Sequence, residues 1–103
     1  MTEQDYETLY NSLSFNLSLN DLNNDEKHEL FDIVSRLDLE KREIFYQLIL
    51  HDWMRYNPNT KVIYPYKIKQ NNNDLEIKVD CLPIRLKRIL LKFSRLAEQN
   101  KNT

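Results

Sequence analysis

Glycine is absent from this sequence of 103 residues, and its absence excludes several kinds of nucleotide site. Phosphate-cradling loops and dinucleotide-binding turns need glycine, because a residue without a β-carbon lets the backbone approach a phosphate closely. Asparagine occupies the predicted turns instead, at Asn23-Asn24, Asn57-Pro58-Asn59 and Asn71-Asn72-Asn73. We therefore predict no nucleotide cofactor, and nothing in the sequence indicates another cofactor.

The sequence is also poor in the features of secreted and membrane proteins. Cys81 is the single cysteine, so the chain cannot form an internal disulfide, and a reducing intracellular compartment is the natural interpretation. The sequence contains no apolar run near the length that spans a bilayer. Residues Met1 to Asn20 lack the charged-then-apolar layout of a signal peptide. We therefore expect an intracellular protein without a membrane partner.

Catalytic and metal-binding patterns are missing as well. His28 and His51 lie on different predicted helices, and neither has a second histidine or cysteine at a metal-ligand spacing. His51 and Asp52 are adjacent, but adjacent side chains on a helix point in different directions. The carboxylates are scattered over helix faces, and no serine has the context of a nucleophile. We predict that the protein is not an enzyme and has no small-molecule substrate.

The composition that remains is that of one globular domain with a modest core. Hydrophobic residues make up 41% of the chain and charged residues 30%. The net charge of −1 conceals an asymmetry, because residues 1–30 contain seven acids and one base, whereas residues 61–103 contain ten bases and four acids. Either the two ends attract one another in the fold, or the basic end faces a polyanion.

The first half of the chain shows helical periodicity. Thr2 is a predicted helix cap, and the apolar residues that follow lie on one face: Tyr6, Leu9, Tyr10 and Leu13. The alternation of Phe15, Leu17 and Leu19 predicts an extended segment over the core. Asn23 and Glu26 form a potential capping box before a stripe of Leu30, Ile33, Val34 and Leu37. Asp38 caps the next predicted helix, which buries Ile44, Phe45, Leu48, Ile49 and Trp53 and ends before Asn57-Pro58.

The second half predicts a hairpin followed by a basic helix. Alternation over Lys61–Lys69 and over Leu75–Asp80 indicates two strands, joined by the polar residues 70–74, with about 62–69 pairing antiparallel to 75–80. Pro65 lacks an N–H and favours an edge position for the first strand. Pro83 suits the first turn of a helix whose apolar face contains Leu86, Ile89, Leu90, Phe93 and Ala97.

These patterns predict a mainly α, small α+β fold of three to four helices with one two-stranded antiparallel β-hairpin. Residues 1–22 form an N-terminal extension in this interpretation, with a helix and an extended segment. Residues 23–97 form the helical domain, with the hairpin inserted at about 57–74, and residues 98–103 form a polar tail.

Two blocks of the sequence resemble the extra-terminal domain, or NET domain, of bromodomain and extra-terminal (BET) family proteins. The first block, from Glu26 to Lys41, reads EKHELFDIVSRLDLEK and is similar to the opening helix of that domain and the start of its second helix. The second block, from Leu75 to Phe93, reads LEIKVDCLPIRLKRILLKF and is similar to its acidic-aliphatic strand and the proline-started helix that follows. Together the blocks cover about a third of the chain.

The resemblance implies a non-enzymatic protein-interaction module in chromatin or transcription regulation, in a nucleus or a large virus. Domains of this family bind peptides of alternating lysine and aliphatic residues, which add a strand beside the acidic-aliphatic strand. Carried over by position, the resemblance assigns lysine recognition to Glu76 and Asp80. It assigns the apolar wall of the groove to Leu75, Ile77 and Val79.

The chain differs from the family at three places. Lys78 stands where the family tends to have an acid, one residue is missing between Leu82 and Pro83, and the connection from Leu50 to Asp74 is longer. That longer connection contains Tyr66-Lys67-Ile68-Lys69, which resembles a family ligand. We therefore consider that residues 61–69 occupy the groove of their own chain; the alternative is an ordinary edge strand of a lysine-rich protein.

Two other classes of function stay open. The predicted basic helix offers possible phosphate contacts for nucleic acid, although a solvated face paired with the acidic N-terminal third has the same pattern. Its basic residues are Arg85, Lys87, Arg88, Lys92 and Arg95. The other class is a structural or scaffold subunit of a viral or nuclear assembly.

Overall fold

The chain folds as a mainly helical bundle with one small hairpin, as the sequence predicts. A computed structural model describes residues 2–59, 65–71 and 74–100. Within those residues there are four α-helices and one two-stranded antiparallel sheet. The helices are α1 (Glu3–Leu13), α2 (Asn24–Arg36), α3 (Leu39–Tyr56) and α4 (Ile84–Asn100), and the strands are β1 (Lys69–Asn71) and β2 (Asp74–Glu76).

The starts of the first three helices are encoded locally, and all three predicted caps are confirmed. Thr2 accepts a hydrogen bond from the Asp5 N–H, and the Asp5 side chain accepts one from the Thr2 N–H. Asn23 and Glu26 form the same reciprocal capping box on α2. The Asp38 carboxylate accepts a hydrogen bond from the Lys41 N–H at 2.8 Å, which satisfies one of the free donors of α3.

The last helix is slightly displaced from its prediction. Pro83 lies immediately before α4 rather than in its first turn, and its carbonyl accepts a hydrogen bond from the Lys87 N–H at 3.0 Å. The helix continues to Asn100, so the polar tail predicted from Glu98 is helical through that residue. Residues 101–103 of the tail lie outside the described part of the chain.

One hydrophobic core joins all four described helices. Seven predicted core positions are confirmed as buried: Leu30, Ile33, Ile44, Leu48, Leu86, Ile89 and Phe93. Trp53 was predicted to be buried and is half-buried, as is Val34. Tyr10, Leu13 and Leu22 belong to the same cluster. The segment expected to be an N-terminal extension is therefore packed into the domain.

The prediction of an extended segment over the core after α1 is wrong for two of its three apolar residues. Phe15 and Leu19 are exposed, and Leu17 packs against the core. Residues 14–16 form a turn in which Asn16 has a φ of 60°. Asparagine tolerates this left-handed conformation better than most residues, and the turn breaks the alternation that a strand would need.

The hairpin exists, but its first strand is shorter and begins later than predicted. Tyr66 and Lys67 have φ values of 55° and 60°, and the Ile68 N–H donates to the Pro65 carbonyl at 3.1 Å. Residues 65–68 therefore form a turn, and Ile68 is buried in the core. The predicted strand is wrong over this turn, and its portion from Lys61 to Tyr64 lies outside the described residues.

The second strand is also shorter than its alternating pattern indicates. β2 ends at Glu76, and Val79–Cys81 form a 3₁₀ turn closed by the Cys81 N–H bound to the Lys78 carbonyl. This turn replaces the last part of the predicted strand at residues 75–80. Val79 at its start and Ile77 between β2 and the turn pack against the core. In the observed register Lys69 pairs with Glu76 and Gln70 with Leu75, so Gln70 belongs to a strand and not to the predicted loop.

The core predicts a large stability cost for truncating either of two fully buried residues. Leu48→Ala or Ile89→Ala should each lower the free energy of unfolding by about 2–5 kcal/mol, because each change removes buried methyl groups and leaves a cavity. Urea titration followed by circular dichroism measures the loss. Leu39→Ala is the control, because Leu39 is 85% exposed. A loss no larger than the control at both core sites would contradict the packing described here.

Candidate functional site

The residues assigned to peptide recognition form a mixed acidic and apolar surface at β2 and the turn after it. Leu75 is 39% exposed and Glu76 is exposed, whereas Ile77 and Val79 are half-buried. The Asp80 side chain is 81% exposed and accepts a hydrogen bond from Lys27 Nζ at 3.0 Å. The structure therefore brings an apolar strip and carboxylates together, although not on one continuous strand.

The register of the hairpin determines which backbone groups face outward. Along an antiparallel ladder, residue pairs that exchange backbone hydrogen bonds alternate with pairs that do not. The pair that closes a two-residue hairpin loop is hydrogen-bonded, so the hydrogen-bonded pairs here are 71/74 and 69/76. Leu75 then belongs to the non-bonded pair, and its N–H and C=O point away from β1. Within the described residues no strand pairs with that side of β2.

The ligand-like segment at residues 66–69 does not lie along β2 as a strand. Tyr66 and Lys67 are in the turn, Ile68 is buried, and Lys69 alone of these four residues belongs to the sheet. The strand pairing predicted for self-occupancy is therefore absent from Tyr66 to Ile68, and residues 61–64 of the predicted segment lie outside the described part of the chain. The segment serves the core and the hairpin instead.

All five bases proposed as phosphate contacts bind groups of their own chain. Arg85 pairs with Asp52, Lys87 with Asp21, Arg88 with Glu26 and Arg95 with Glu29, at distances between 2.6 and 3.0 Å. Lys92 donates to the Phe15 carbonyl at 3.0 Å. Four of these contacts join α4 to the acidic N-terminal third, which is the attraction between the two ends that the charge asymmetry allows.

The pKa values of the carboxylates that bind α4 are lowered by their hydrogen-bond donors. The hydrogen bond from Lys87 and the one from the Leu22 N–H lower the pKa of Asp21. The hydrogen bond from the Asn23 N–H, followed by that from Arg88, lowers the pKa of Glu26. The pKa of Glu29 is lowered by its hydrogen bonds from Arg95. These contacts stabilise the charged forms of the acids, so the interface is strongest above their ordinary pKa values.

A second polar centre was not predicted: the carboxylate of Asp52, which is fully buried on α3. Tyr10 Oη donates to Asp52 Oδ2 at 2.7 Å, and Tyr66 Oη donates to Oδ1 at 2.5 Å. Arg85 completes the cluster with Nε 3.1 Å from Oδ2 and Nη2 3.0 Å from Oδ1. We call these four residues the Asp52 cluster.

The surroundings of the Asp52 cluster hold its donors in place. The Arg85 guanidinium carbon lies 3.6 Å from the centre of the Tyr56 ring, a cation–π contact. The Trp53 ring meets the Tyr66 ring edge-on, with centroids 4.8 Å apart. Burial raises the pKa of both Tyr10 and Tyr66, and the hydrogen bond each phenol donates to Asp52 raises it further.

A signal for this cluster was present in the sequence. Asp52 follows Leu48 by four residues and Ile49 by three, so it lies on the apolar face of α3 and not on its solvent face. A carboxylate at such a position must find charged or hydroxyl donors in the core. The adjacency of Asp52 to His51 does not indicate this role, whereas the helical spacing of Asp52 from Leu48 and Ile49 does.

The described residues contain no group of three or more side chains suited to holding a metal ion. None of the helices in the described ranges has the length and apolar character required to cross a bilayer. Comparison of the chain with protein families, with curated proteins and with solved structures finds no match. Any function of the chain must therefore be inferred from the geometry of the site and from the resemblance of the two sequence blocks.

The Asp52 cluster predicts a strong effect of a nearly isosteric change. Asp52→Asn should lower the free energy of unfolding by about 3 kcal/mol, because it removes the charge that compensates Arg85 and replaces an acceptor by a donor facing two hydroxyls. Chemical denaturation measures the effect. Asp32→Asn is the matched control on an exposed face of α2, and the two variants having equal stability would contradict the role of the cluster.

The same cluster predicts a loss of stability in alkali. The folded state holds the phenol protons of Tyr10 and Tyr66 more tightly than the unfolded state does. The contribution of the two phenols to the free energy of unfolding is therefore complete below the ordinary pKa of 10.0, and it is lost as the pH rises through the raised pKa values. The free energy of unfolding should therefore fall less between about pH 9 and about pH 11 in a Tyr10→Phe, Tyr66→Phe variant than in the original chain. An equal fall in the two chains would contradict the raised pKa values of the two phenols.

Proposed function

We propose that the protein is a non-enzymatic interaction module that binds peptides of alternating lysine and aliphatic residues by strand addition to β2. The observation that carries the proposal is the outward-facing backbone of Leu75 beside exposed carboxylates and a half-buried apolar strip. Chromatin or transcription regulation, in a nucleus or a virus, is the setting that the family resemblance supports.

The chemistry of the surface fits such a ligand. An added strand satisfies its backbone by bonding to the N–H and C=O of Leu75, while alternate side chains fall on opposite faces. Aliphatic side chains then meet Leu75, Ile77 and Val79, and ligand lysines approach Glu76 and Asp80. The lysine that approaches Asp80 competes with Lys27, whose Nζ lies 3.0 Å from Asp80 Oδ1. Lys78 is exposed between the two acids and favours ligands that place no lysine opposite it.

Nucleic-acid binding is the alternative that the geometry supports less. Each base of α4 assigned to phosphate contact already binds a group of the same chain, so DNA would have to compete with those contacts. We expect weak binding of duplex DNA that decreases steeply with added salt. A scaffold role would use the same exposed strand edge for assembly with a second protein.

The peptide proposal is tested by titrating a labelled lysine-aliphatic peptide into the full chain and measuring fluorescence anisotropy. The double variant Glu76→Gln, Asp80→Asn should weaken binding about threefold to tenfold, because exposed charge contacts contribute modestly. Glu40→Gln with Asp32→Asn is the matched control, since it removes the same two charges from exposed positions on α3 and α2. Equal weakening in both variants would show nonspecific attraction.

A backbone substitution separates strand addition from charge attraction. Leu75→Pro removes the outward N–H, and Leu75→Val retains it with a side chain suited to strands. Binding should be lost with proline and kept within about threefold with valine, while circular dichroism shows that both variants are folded. Retention of full affinity by the proline variant would exclude addition of a strand at this edge.

A further inference from the structure

The segment that begins in β2 has a charge pattern that is complementary to itself. Three apolar residues are separated by one acid and one base: Leu75-Glu76-Ile77-Lys78-Val79. The acid and the base lie one residue to either side of Ile77. If two copies of this segment pair antiparallel about Ile77, each acid therefore stands opposite a base.

The charged side chains of the segment lie on its exposed face. Glu76 and Lys78 are exposed, whereas Ile77 and Val79 are half-buried, as expected when side chains alternate between two faces. None of the ion pairs and side-chain hydrogen bonds among the described residues involves the side chain of Lys78. A strand added at this edge is favoured if it places an acid opposite Lys78 and a base opposite Glu76.

The backbone of the segment has a free side for such a strand. Leu75 directs its N–H and C=O away from β1, and within the described residues no strand pairs with that side. Backbone direction repeats at every second residue of an extended chain, so Ile77 presents the same side. Lys78 is still extended, with φ −94° and ψ 110°, and the 3₁₀ turn follows it. The edge available for pairing is therefore longer than β2 itself.

The charges select one register for pairing between two copies. With Ile77 opposite Ile77 of the second copy, Glu76 faces Lys78 twice and Leu75 faces Val79 twice. Antiparallel pairing centred on Glu76 or on Lys78 sets like charges opposite one another, and parallel pairing in register does the same. A slip by one residue places charged side chains of one copy on the apolar face of the other.

The turn after the segment limits the length of this pairing. The next pair outward consists of two acids, Asp74 and Asp80. Asp80 lies in the 3₁₀ turn and accepts a hydrogen bond from Lys27 Nζ at 3.0 Å, so an opposite charge already compensates it. The repulsion between the two acids is therefore reduced, and the pairing covers the five residues 75–79.

We propose that the outer edge of β2 pairs with β2 of a second copy of the chain, which gives a symmetric antiparallel dimer centred on Ile77. The two hairpins then form one four-stranded sheet, with two Glu76–Lys78 pairs on its exposed face. The interface is small, so the association is weak and depends on concentration. Competition with peptides for this edge is the one consequence that rests on the function proposed above.

Sedimentation velocity of the full chain tests the dimer at concentrations up to about 1 mM, the range in which a small interface associates. The chain should shift reversibly from monomer towards dimer as its concentration rises. Amide NMR signals that move on dilution should belong to residues 75–79. Dilution shifts centred on the exposed Phe15 and Leu19 would instead assign the association to the loop after α1 and overturn the proposal.

A charge reversal at Lys78 has a matched control in the same hairpin. Lys78→Glu should weaken the association about tenfold, because both cross-strand pairs become repulsive. Lys67→Glu makes the same change of charge at an exposed lysine in the turn before β1, and it should alter the association less than twofold. Equal weakening in the two variants would show general repulsion between the chains and overturn the proposal.

Exchange of the two charges tests the register directly. Chains with Lys78→Glu alone and with Glu76→Lys alone should each associate weakly. Their equimolar mixture, and the double variant Glu76→Lys, Lys78→Glu, should associate within about threefold of the original chain, because every acid again faces a base. Circular dichroism verifies that each variant is folded, since Glu76 also pairs with Lys69 inside the hairpin. The comparison of Lys78→Glu with Lys67→Glu leaves Glu76 unchanged and stays decisive if the Glu76 variants unfold.

Two further results would overturn the dimer: a chain that stays monomeric over the whole concentration range, and a mixture of folded, charge-reversed chains that fails to associate. No peptide is present in these measurements, so failure of peptide binding at β2 leaves them unaffected. A chain that binds the lysine-aliphatic peptide and stays monomeric would support the proposed function and exclude the dimer.

Discussion

The buried carboxylate of Asp52 is the constraint on which the arrangement of the domain depends. A charge without access to water is costly unless its partners supply both opposite charge and hydrogen bonds. Tyr10 comes from α1, Tyr66 from the turn before β1, and Arg85 from the first turn of α4. Their shared acceptor lies on α3, so the need to compensate one side chain fixes three other parts of the chain relative to that helix.

A second set of contacts acts at the surface of the same core. The bases of α4 bind carboxylates and carbonyls of the N-terminal third, which turns the uneven distribution of charge along the sequence into an interface between early and late elements. The exposed pair of Arg95 and Glu29 contributes little free energy by itself, whereas Lys87 and Arg88 are largely buried. Together the contacts favour one orientation of α4 against the N-terminal third. They also reduce the number of cations that α4 can offer to a polyanion.

The sequence predicts the parts of this structure that depend on neighbouring residues. Helix caps at Thr2, Asn23 and Asp38 and the apolar stripes need only local spacing, and they were predicted with the right fold class. The bounds of the hairpin could not be predicted, because the alternation through Ile68 is compatible with a strand. The turn at this point has positive φ values at Tyr66 and Lys67, and no glycine in the sequence marks these positions. The Asp52 cluster was missed because its partners lie as far as 42 residues away. The recognition residues at β2 were assigned by resemblance to a family. The outward direction of the Leu75 backbone groups could be identified only from the structure.

The Asp52 cluster also has a consequence for the order in which the chain can fold. Its donors lie 42, 14 and 33 residues from the acceptor, on both sides of it in the sequence. Water can leave the carboxylate at little cost only when these donors have arrived, so a half-assembled bundle would hold a charge that is neither hydrated nor paired. The capped helices can form early as local structure, but their final closure must be a concerted event. A chain built in this way should pass from a collection of fluctuating helices to the complete domain with few stable stages between them.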